Sequence, residues 1–127
     1  MVSKKIHART TGPINQLTRQ PVEGRRHDGG IKFASMEAEC IMAHGASAIL
    51  KEKYVTSSDE YSLPICTECG YTGIYNGDIG FSYCPICRVA DTVQCIQIGY
   101  TTKLMVQELL STGVTVQLDI QRLKSHV

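Results

Sequence analysis

The chain has 127 residues, of which 43% are hydrophobic and 20% are charged, and its formal net charge is +1. This length supports one small domain with an additional element, but it excludes two independent hydrophobic cores. No apolar run has the length of a signal peptide or a transmembrane helix, so the sequence predicts no membrane association.

The positive charge is concentrated at the start of the chain. Residues 1–32 contain seven Lys or Arg and two acidic residues, a net charge of +5, and the remainder carries −4. A basic arm on a mildly acidic body is typical of a protein that contacts nucleic acid. The alternative is a solvated basic arm that binds nothing.

Residues 1–34 are predicted to be an irregular segment, because Gly and Pro turns interrupt them and neither helical nor strand periodicity is present. Lys5, His7 and Arg9 alternate, so an extended chain points them to one face, which suits a row of phosphates. The predicted nucleic-acid-binding residues are Lys5, His7, Arg9, Arg19, Gln20, Arg25 and Arg26.

One long helix is expected next, from Ser35 to about Val55. Ser35 is a suitable N-cap, and Glu37 favours the positive end of the helix dipole. Apolar residues recur at helical spacing along this stretch. Polar residues follow the helix. The second predicted region is therefore a packing helix and linker over residues 35–60.

Four cysteines form two CxxC pairs with fourteen residues between the pairs. A CxxC pair on a tight turn brings two thiolates onto one ion, and two such turns complete a closed four-thiolate zinc site. A closed shell leaves no position for water or substrate, so the zinc is predicted to be structural. The alternatives are two disulfides, a redox CxxC, or four unrelated buried cysteines. The predicted ligands are Cys66, Cys69, Cys84 and Cys87.

Short antiparallel strands are predicted around this zinc ribbon, with a hairpin turn at Asn76-Gly77. The expected strands are residues 62–65, 71–75, 80–83 and 92–98.

A helix over residues 101–111 follows, with Gly113 as its C-cap, and alternating apolar residues over 114–120 predict a half-buried strand. The third predicted region, residues 61–127, is therefore a zinc ribbon with a helix and a C-terminal strand. The fold class predicted for the whole chain is α+β.

The sequence shows no paired carboxylates, no nucleophile with a base and no open metal site, so no catalytic residue is predicted. Asp59 lies in a polar linker and is expected at the surface. His44 is expected to be a core histidine, and Cys40 and Cys95 are expected to be small buried residues.

Several motifs follow one another along nearly the whole chain. They are KIHAR at residues 5–9, TGP at 11–13, LTRQPVEGR at 17–25, DGG at 28–30, ME at 36–37, AHGA at 43–46, the two CxxC pairs, KL at 103–104 and QEL at 107–109. In this order they closely resemble the C-terminal end of the second-largest subunit of multisubunit DNA-dependent RNA polymerase. The zinc-bearing form resembles the eukaryotic, archaeal and large-DNA-virus type.

The resemblance implies that residues 10–32 form a clamp switch loop against the RNA–DNA hybrid, with His7 and Arg9 near the growing RNA and the incoming nucleotide. It implies that the helix from Ser35 packs against the largest subunit and that residues 55–62 form a second switch. The ribbon would belong to the clamp, which closes over the nucleic acid.

The implied activity is nucleotidyl transfer by the assembled DNA-directed RNA polymerase, with Mg²⁺ held mainly by the largest subunit. The implied partners are that subunit, the remainder of the second-largest subunit, the DNA template and the RNA–DNA hybrid. Because the family subunit is many times longer, the chain is expected to be a fragment, a split-gene product or an excised domain, and not catalytic alone.

The expected location is the reducing nucleus or cytoplasm, or a virion or viral factory if the source is viral.

The alternative hypothesis is a stand-alone zinc-ribbon module, a regulator or a remnant that binds nucleic acid or protein. Two short stretches of the sequence depart from the family pattern. Arg26-His27-Asp28 stands where the family usually has Ser-Arg-Asp, and Gly99-Tyr100-Thr101-Thr102 stands where it usually has a stretch with proline and alanine.

Overall fold

The structure is a computed structural model that describes residues 1–120; the last seven residues of the predicted third region lie outside the described part. Helices and antiparallel strands are both present, which confirms the α+β class. The helices and strands are α1 (Ser35–Ala43), α2 (Ser47–Lys51), β1 (Glu60–Cys66), β2 (Ile74–Asn76), β3 (Phe81–Tyr83), β4 (Val93–Gly99) and α3 (Tyr100–Ser111).

The chain forms two compact units. Unit 1 comprises Met1–Glu60 together with Gly99–Thr101, and unit 2 comprises Tyr61–Ile98 and the chain from Thr102 onward. No helix within residues 1–120 combines the length and the apolar character that crossing a bilayer requires.

The N-terminal segment of unit 1 is irregular, as predicted, but its backbone is hydrogen-bonded to itself. Short 3₁₀ turns occur at Val2–Lys4 and Arg25–His27. Ile14 bridges Pro21, and farther along Gly30 N donates to Val22 O at 2.9 Å. We call residues 13–30 the basic loop. Its shape is set by main-chain bonds and not by a hydrophobic core.

The predicted long helix is wrong in its continuity, because the chain turns at Gly45. α1 ends at Ala43 and α2 begins at Ser47, with Gly45 between them at φ +68°. A left-handed residue cannot continue a right-handed helix, and glycine adopts that conformation without steric cost. A π-helical turn, Glu52–Thr56, follows α2.

The N-cap of α1 is Ala34 and not Ser35. Glu37 Oε2 accepts a hydrogen bond from Ala34 N at 2.9 Å, which is the bond that a glutamate at the third helical position makes in a capping box. The backbone amides of Glu37 itself and of Ala34 lower the pKa of the Glu37 carboxyl below its usual value. The first turn is therefore held by the glutamate that the sequence placed there.

Unit 2 contains two two-stranded sheets. β1 pairs with β4, and β2 pairs with β3 as an antiparallel hairpin in which Tyr75 lies opposite Ser82. The predicted hairpin is confirmed, although its loop has four residues, 77–80, and Asn76 Oδ1 accepts from Asp78 N at 3.1 Å. The buried side chains of this unit lie on β1, β3 and β4 and at the second cysteine pair; they are Leu63, Ile65, Cys66, Ser82, Cys84 and Val93.

α3 forms close to its predicted limits and ends at the expected glycine. Gly113 has φ +89°, and Val114 N donates to Leu109 O at 3.0 Å. The strand predicted over residues 114–120 is not formed, because a strand needs a ladder with a neighbouring strand. Leu118 N donates instead to Gly70 O, in a turn, at 3.0 Å.

The break at Gly45 predicts an order of substitutions. Gly45→Ala is expected to destabilise unit 1 by about 1 kcal/mol, because the new Cβ meets no atom within 4 Å and the cost is purely conformational. Gly45→Asn should cost less, since Asn tolerates the left-handed region. Circular dichroism at 222 nm during thermal unfolding measures both, and equal losses for Ala and Asn would contradict the left-handed turn.

Candidate functional site: a four-cysteine centre and a basic loop

The four predicted ligands come together in unit 2. Their Sγ atoms all lie within 4.8 Å of one another, and Cys69 Sγ is 3.6 Å from Cys84 Sγ. Four thiolates arranged tetrahedrally at ~2.3 Å from an ion would be separated by about 3.8 Å. The geometry therefore fits one metal ion held by four sulfurs.

The two CxxC turns repeat the same main-chain hydrogen bonds. Cys66 N donates to Tyr71 O at 2.9 Å, and Gly70 N donates back to Cys66 O at 3.0 Å. In the second turn Cys84 N donates to Val89 O at 3.0 Å, and Arg88 N donates to Cys84 O at 2.8 Å. Each turn thus presents its two thiols in the same way, although the two residues between the cysteines differ from one turn to the other.

The fifth residue of each turn is left-handed. Gly70 has φ +71° and Arg88 has φ +59°. A Cβ at Gly70 would lie 2.7 Å from Leu118 O, so the first turn also needs glycine for space. The second turn accommodates an arginine whose side chain is exposed. Glycine after a CxxC pair is an ordinary turn signal, but nothing in the sequence marks Arg88 as the equivalent position.

The electrostatics of the cluster favour a bound cation. The backbone amide of Cys69 lowers the pKa of the Cys66 thiol to about 6, because it donates toward the sulfur. The side chain of Cys69 and burial raise the pKa of the Cys87 thiol to about 12. Four thiolates so close together repel one another, so full ionisation near neutral pH requires a positive ion between them.

Thr92, which no sequence pattern indicated, supports the cluster from outside. Thr92 Oγ1 lies 3.6 Å from Cys66 Sγ, and Thr92 O accepts from Thr67 N at 2.9 Å. Such contacts orient metal ligands. Nothing in the local sequence marks this threonine, which is 26 residues away from Cys66.

All four cysteines of the cluster are free thiols, and the 3.6 Å between Cys69 and Cys84 is far longer than a disulfide bond. Cys40 and Cys95 are also free but exposed, so their predicted burial is wrong. The four-sulfur shell leaves no open position, so a metal there supplies structural closure.

The basic loop forms the second candidate site, and it turns His7 and Arg9 inward. His7 Nε2 is hydrogen-bonded to Gly29 O at 2.6 Å. Arg9 Nη1 donates to Pro13 O at 2.9 Å and to Asp28 O at 2.8 Å. The alternation did place both side chains toward a common partner, which here is the backbone of the loop.

The other predicted nucleic-acid residues are exposed. Lys5 and the pair Arg25 and Arg26 lie at the surface of unit 1, the pair in the 3₁₀ turn. Arg19 packs over the Tyr100 ring at 4.1 Å, and Gln20 Nε2 donates to Thr101 Oγ1 at 3.1 Å. His7 and Arg9 therefore hold the shape of the basic loop from a preceding segment, while the Lys and Arg side chains named here lie at the surface.

Two other expectations for unit 1 are wrong. Asp59 is only 6% exposed, because Thr101 N and Thr101 Oγ1 both donate to its Oδ2 atom, at 2.9 Å and 2.6 Å. His44 is exposed and lies at the C-cap of α1. Asp59 was expected at the surface because the linker around it is polar, and His44 was expected in the core because the helix around it is apolar. The break at Gly45 accounts for the exposure of His44.

Two family models match the chain. The model described as RNA polymerase Rpb2, domain 7, matches residues 29–121, more than half of the chain. The model described as RNA polymerase Rpb2, domain 6, matches residues 1–27.

Three curated relatives show the same similarity in different lineages. An RPB2 homolog of DNA-directed RNA polymerase II from Frog virus 3 is 46% identical over 91% of this chain and 9% of its own length. RPB2 of RNA polymerase II from Encephalitozoon cuniculi is 46% identical over 90% of the chain and 10% of its own length. Rpo2 of Saccharolobus shibatae is 37% identical over 95% of the chain and 11% of its own length. The chain spans about a tenth of the length of these relatives.

The metal centre predicts a clear difference between the two classes of cysteine. Cys66→Ser and Cys84→Ser should each abolish metal binding and unfold the ribbon, because three thiolates cannot close the shell. Cys40→Ser and Cys95→Ser, the matched controls, should keep the metal because both side chains are exposed and outside the cluster. Mass spectrometry of metals should find one zinc per chain, and thiol titration should find two reactive cysteines until the protein is denatured.

Iron in place of zinc, or far less than one metal per chain, would contradict the assignment. So would loss of metal in the Cys40→Ser or Cys95→Ser control.

A second comparison concerns the two turns themselves. Gly70→Ala should destabilise the metal-loaded ribbon by about 1 kcal/mol or more, because the left-handed conformation and the contact with Leu118 O both disfavour a Cβ. Arg88→Ala should change stability little, since a Cβ is already present there. Thermal unfolding of metal-loaded protein measures both, and a larger loss at position 88 would contradict the inferred asymmetry.

Proposed function

The chain belongs to the family of RNA polymerase second subunits that contain Rpb2 domains 6 and 7, and we propose that it contacts the RNA–DNA hybrid and the template near the active centre of such a polymerase. We further propose that its ribbon forms part of the clamp. The observation that carries the first proposal is the structure of the basic loop. Its backbone is hydrogen-bonded to itself, and its arginine side chains are exposed at the surface.

The charge and the exposure of the N-terminal residues, which include the basic loop, support contact with phosphates. Residues 1–32 carry a net charge of +5. Arg25 and Arg26 are adjacent and exposed on a short turn, and Lys5 is exposed as well. Arginine binds phosphate through a planar fork of donors, so a pair of this kind suits a nucleic-acid backbone.

His7 and Arg9 support the same proposal in a different way. Both bind loop carbonyls, so they fix the backbone from which the outer arginines project. Both of these bonds of Arg9 come from Nη1, and a guanidinium carries further donors on Nε and Nη2. We therefore propose that Arg9 holds the loop and also reaches nucleic acid or nucleotide.

Exposed apolar side chains of unit 1 support contact with another polypeptide. Met36 is 78% exposed and Met42 is 56% exposed, and both lie on α1. Ala38 is the only fully buried apolar side chain among the described residues of this unit, so the unit buries little apolar surface by itself. We propose that α1 packs against the largest subunit and that other parts contact the remainder of the second-largest subunit.

The proposed cofactors have separate roles. Zinc is proposed as the structural ion of the four cysteines, because a closed tetrahedral thiolate site suits it. Mg²⁺ at the polymerase active centre is proposed to be held mainly by the largest subunit, and nucleotidyl transfer belongs to the assembly. The proposed location is the nucleus or the cytoplasm, or a virion or viral factory for a viral source.

Association with the polymerase is the first test. Co-expression with the largest subunit and the remainder of the second-largest subunit should yield one complex containing the chain with its zinc. Recovery of a zinc-loaded chain without either subunit would reject the assembly and favour the stand-alone zinc-ribbon module.

The outer arginines give a quantitative prediction. Arg25→Gln and Arg26→Gln should each lower the slope of log affinity for the RNA–DNA hybrid against log salt by about 1, because each removes one phosphate contact. Lys51→Gln is the charge-matched control, since Lys51 is exposed on α2 outside the loop. Binding to the assembled polymerase from 50 to 300 mM KCl, roughly the range where counterion release dominates, provides the measurement. Slopes that match that of Lys51→Gln would reject the phosphate role.

A further inference from the structure

Two segments of unit 1 meet at a buried carboxylate. Asp59, just before β1, is 6% exposed. Its Oδ2 atom accepts from Thr101 N at 2.9 Å and from Thr101 Oγ1 at 2.6 Å, while Tyr100 N donates to Asp59 O at 2.8 Å. A carboxylate at the first turn of a helix satisfies free amides and meets the positive end of the dipole. The charge of Asp59 is thus compensated within the protein.

The basic loop joins this arrangement through Gln20. Gln20 Nε2 donates to Thr101 Oγ1 at 3.1 Å. A hydroxyl has one proton and two lone pairs. Because Thr101 gives its proton to Asp59, its oxygen is oriented to accept from Gln20, and the two bonds polarise each other. Donation therefore runs in one direction, from Gln20 through Thr101 to Asp59.

Arg19 is held beside Gln20 by the neighbouring aromatic ring. Its guanidinium lies over Tyr100, 4.1 Å from the ring centroid, which is the geometry of a cation–π contact. The backbone of Arg19 has φ +56°, a conformation that non-glycine residues rarely adopt. Such a conformation persists when its surroundings fix it. Here Arg19 N donates to Asn15 O at 2.8 Å, and the side chains of Arg19 and Gln20 contact Tyr100 and Thr101.

We propose that Asp59 and Thr101 are positioning residues for nucleic-acid binding, which act by holding Gln20 and Arg19 at the end of the basic loop. The proposal rests on the proposed function of that loop. Asp59 itself contacts no phosphate, because its carboxylate is buried and would repel one. The same bonds couple Asp59 to the loop, since neither can shift without breaking the contact through Thr101.

The test is a pair of substitutions at Thr101 with a double-mutant cycle. Thr101→Val keeps the shape but removes the hydroxyl, and hybrid affinity of the assembled polymerase should fall about two- to tenfold, the value of one hydrogen bond. Thr101→Ser keeps the hydroxyl and should restore affinity to within about twofold of the unsubstituted protein. In a Gln20→Ala background Thr101→Val should have little further effect.

A second readout does not depend on nucleic acid. Amide hydrogen exchange over residues 15–21, measured in the assembled polymerase alone, should accelerate in Thr101→Val and in Asp59→Ala, which remove the hydroxyl and the acceptor, but not in Thr101→Ser. Exchange in the ribbon and the zinc content should stay unchanged, which separates positioning from a general loss of fold.

Each outcome has a defined meaning. Faster exchange together with the affinity loss supports the positioning role. Faster exchange with unchanged affinity would show that the contacts exist but that the proposed nucleic-acid role of the loop is wrong. Unchanged exchange, equal effects of Val and Ser, or additive effects in the cycle would overturn the positioning proposal itself.

Discussion

The convergence of four cysteine thiols on one point is the constraint on which unit 2 depends. The buried cluster at its centre consists of Cys66, Cys84 and Val93, with Cys69 and Cys87 packed against it, so the four clustered cysteines are most of this cluster. β1 adds Leu63 and Ile65. Because the pKa values of Cys66 and Cys87 are driven to opposite sides of their usual value, the sulfurs need a cation to ionise together. We therefore expect metal binding and folding of the ribbon to be one process.

Unit 1 is organised by polar contacts instead. Gly29, Ala38 and Asp59 are its fully buried residues within the described chain, and only one of them has an apolar side chain. His7 and Arg9 bind loop carbonyls, so polar side chains take the place that a core would have. Such an arrangement fixes the backbone but buries little apolar surface. This is why the proposed function places the unit against other polypeptides and nucleic acid.

The local patterns led to correct predictions where neighbouring residues decide the outcome. The CxxC spacing identified the cysteines that cluster, Asn76-Gly77 marked the hairpin, and Gly113 ended α3. They failed where a local signal was ambiguous or a partner was needed. Helical spacing continued past Gly45, whose left-handed turn breaks the helix. Alternation over residues 114–120 suggested a strand, but no strand lies beside it in the described chain to form a ladder.

The sequence by itself determined the four-cysteine cluster, the basic segment, the fold class and the family, because these depend on residue type, spacing and order along the chain. Only the tertiary structure decided that Arg9 binds the carbonyl oxygen of Asp28 and that Thr92 supports Cys66. It alone joined Asp59 to Thr101, 42 residues away. Such contacts depend on the path of the chain between distant residues, and no local pattern of polarity specifies that path.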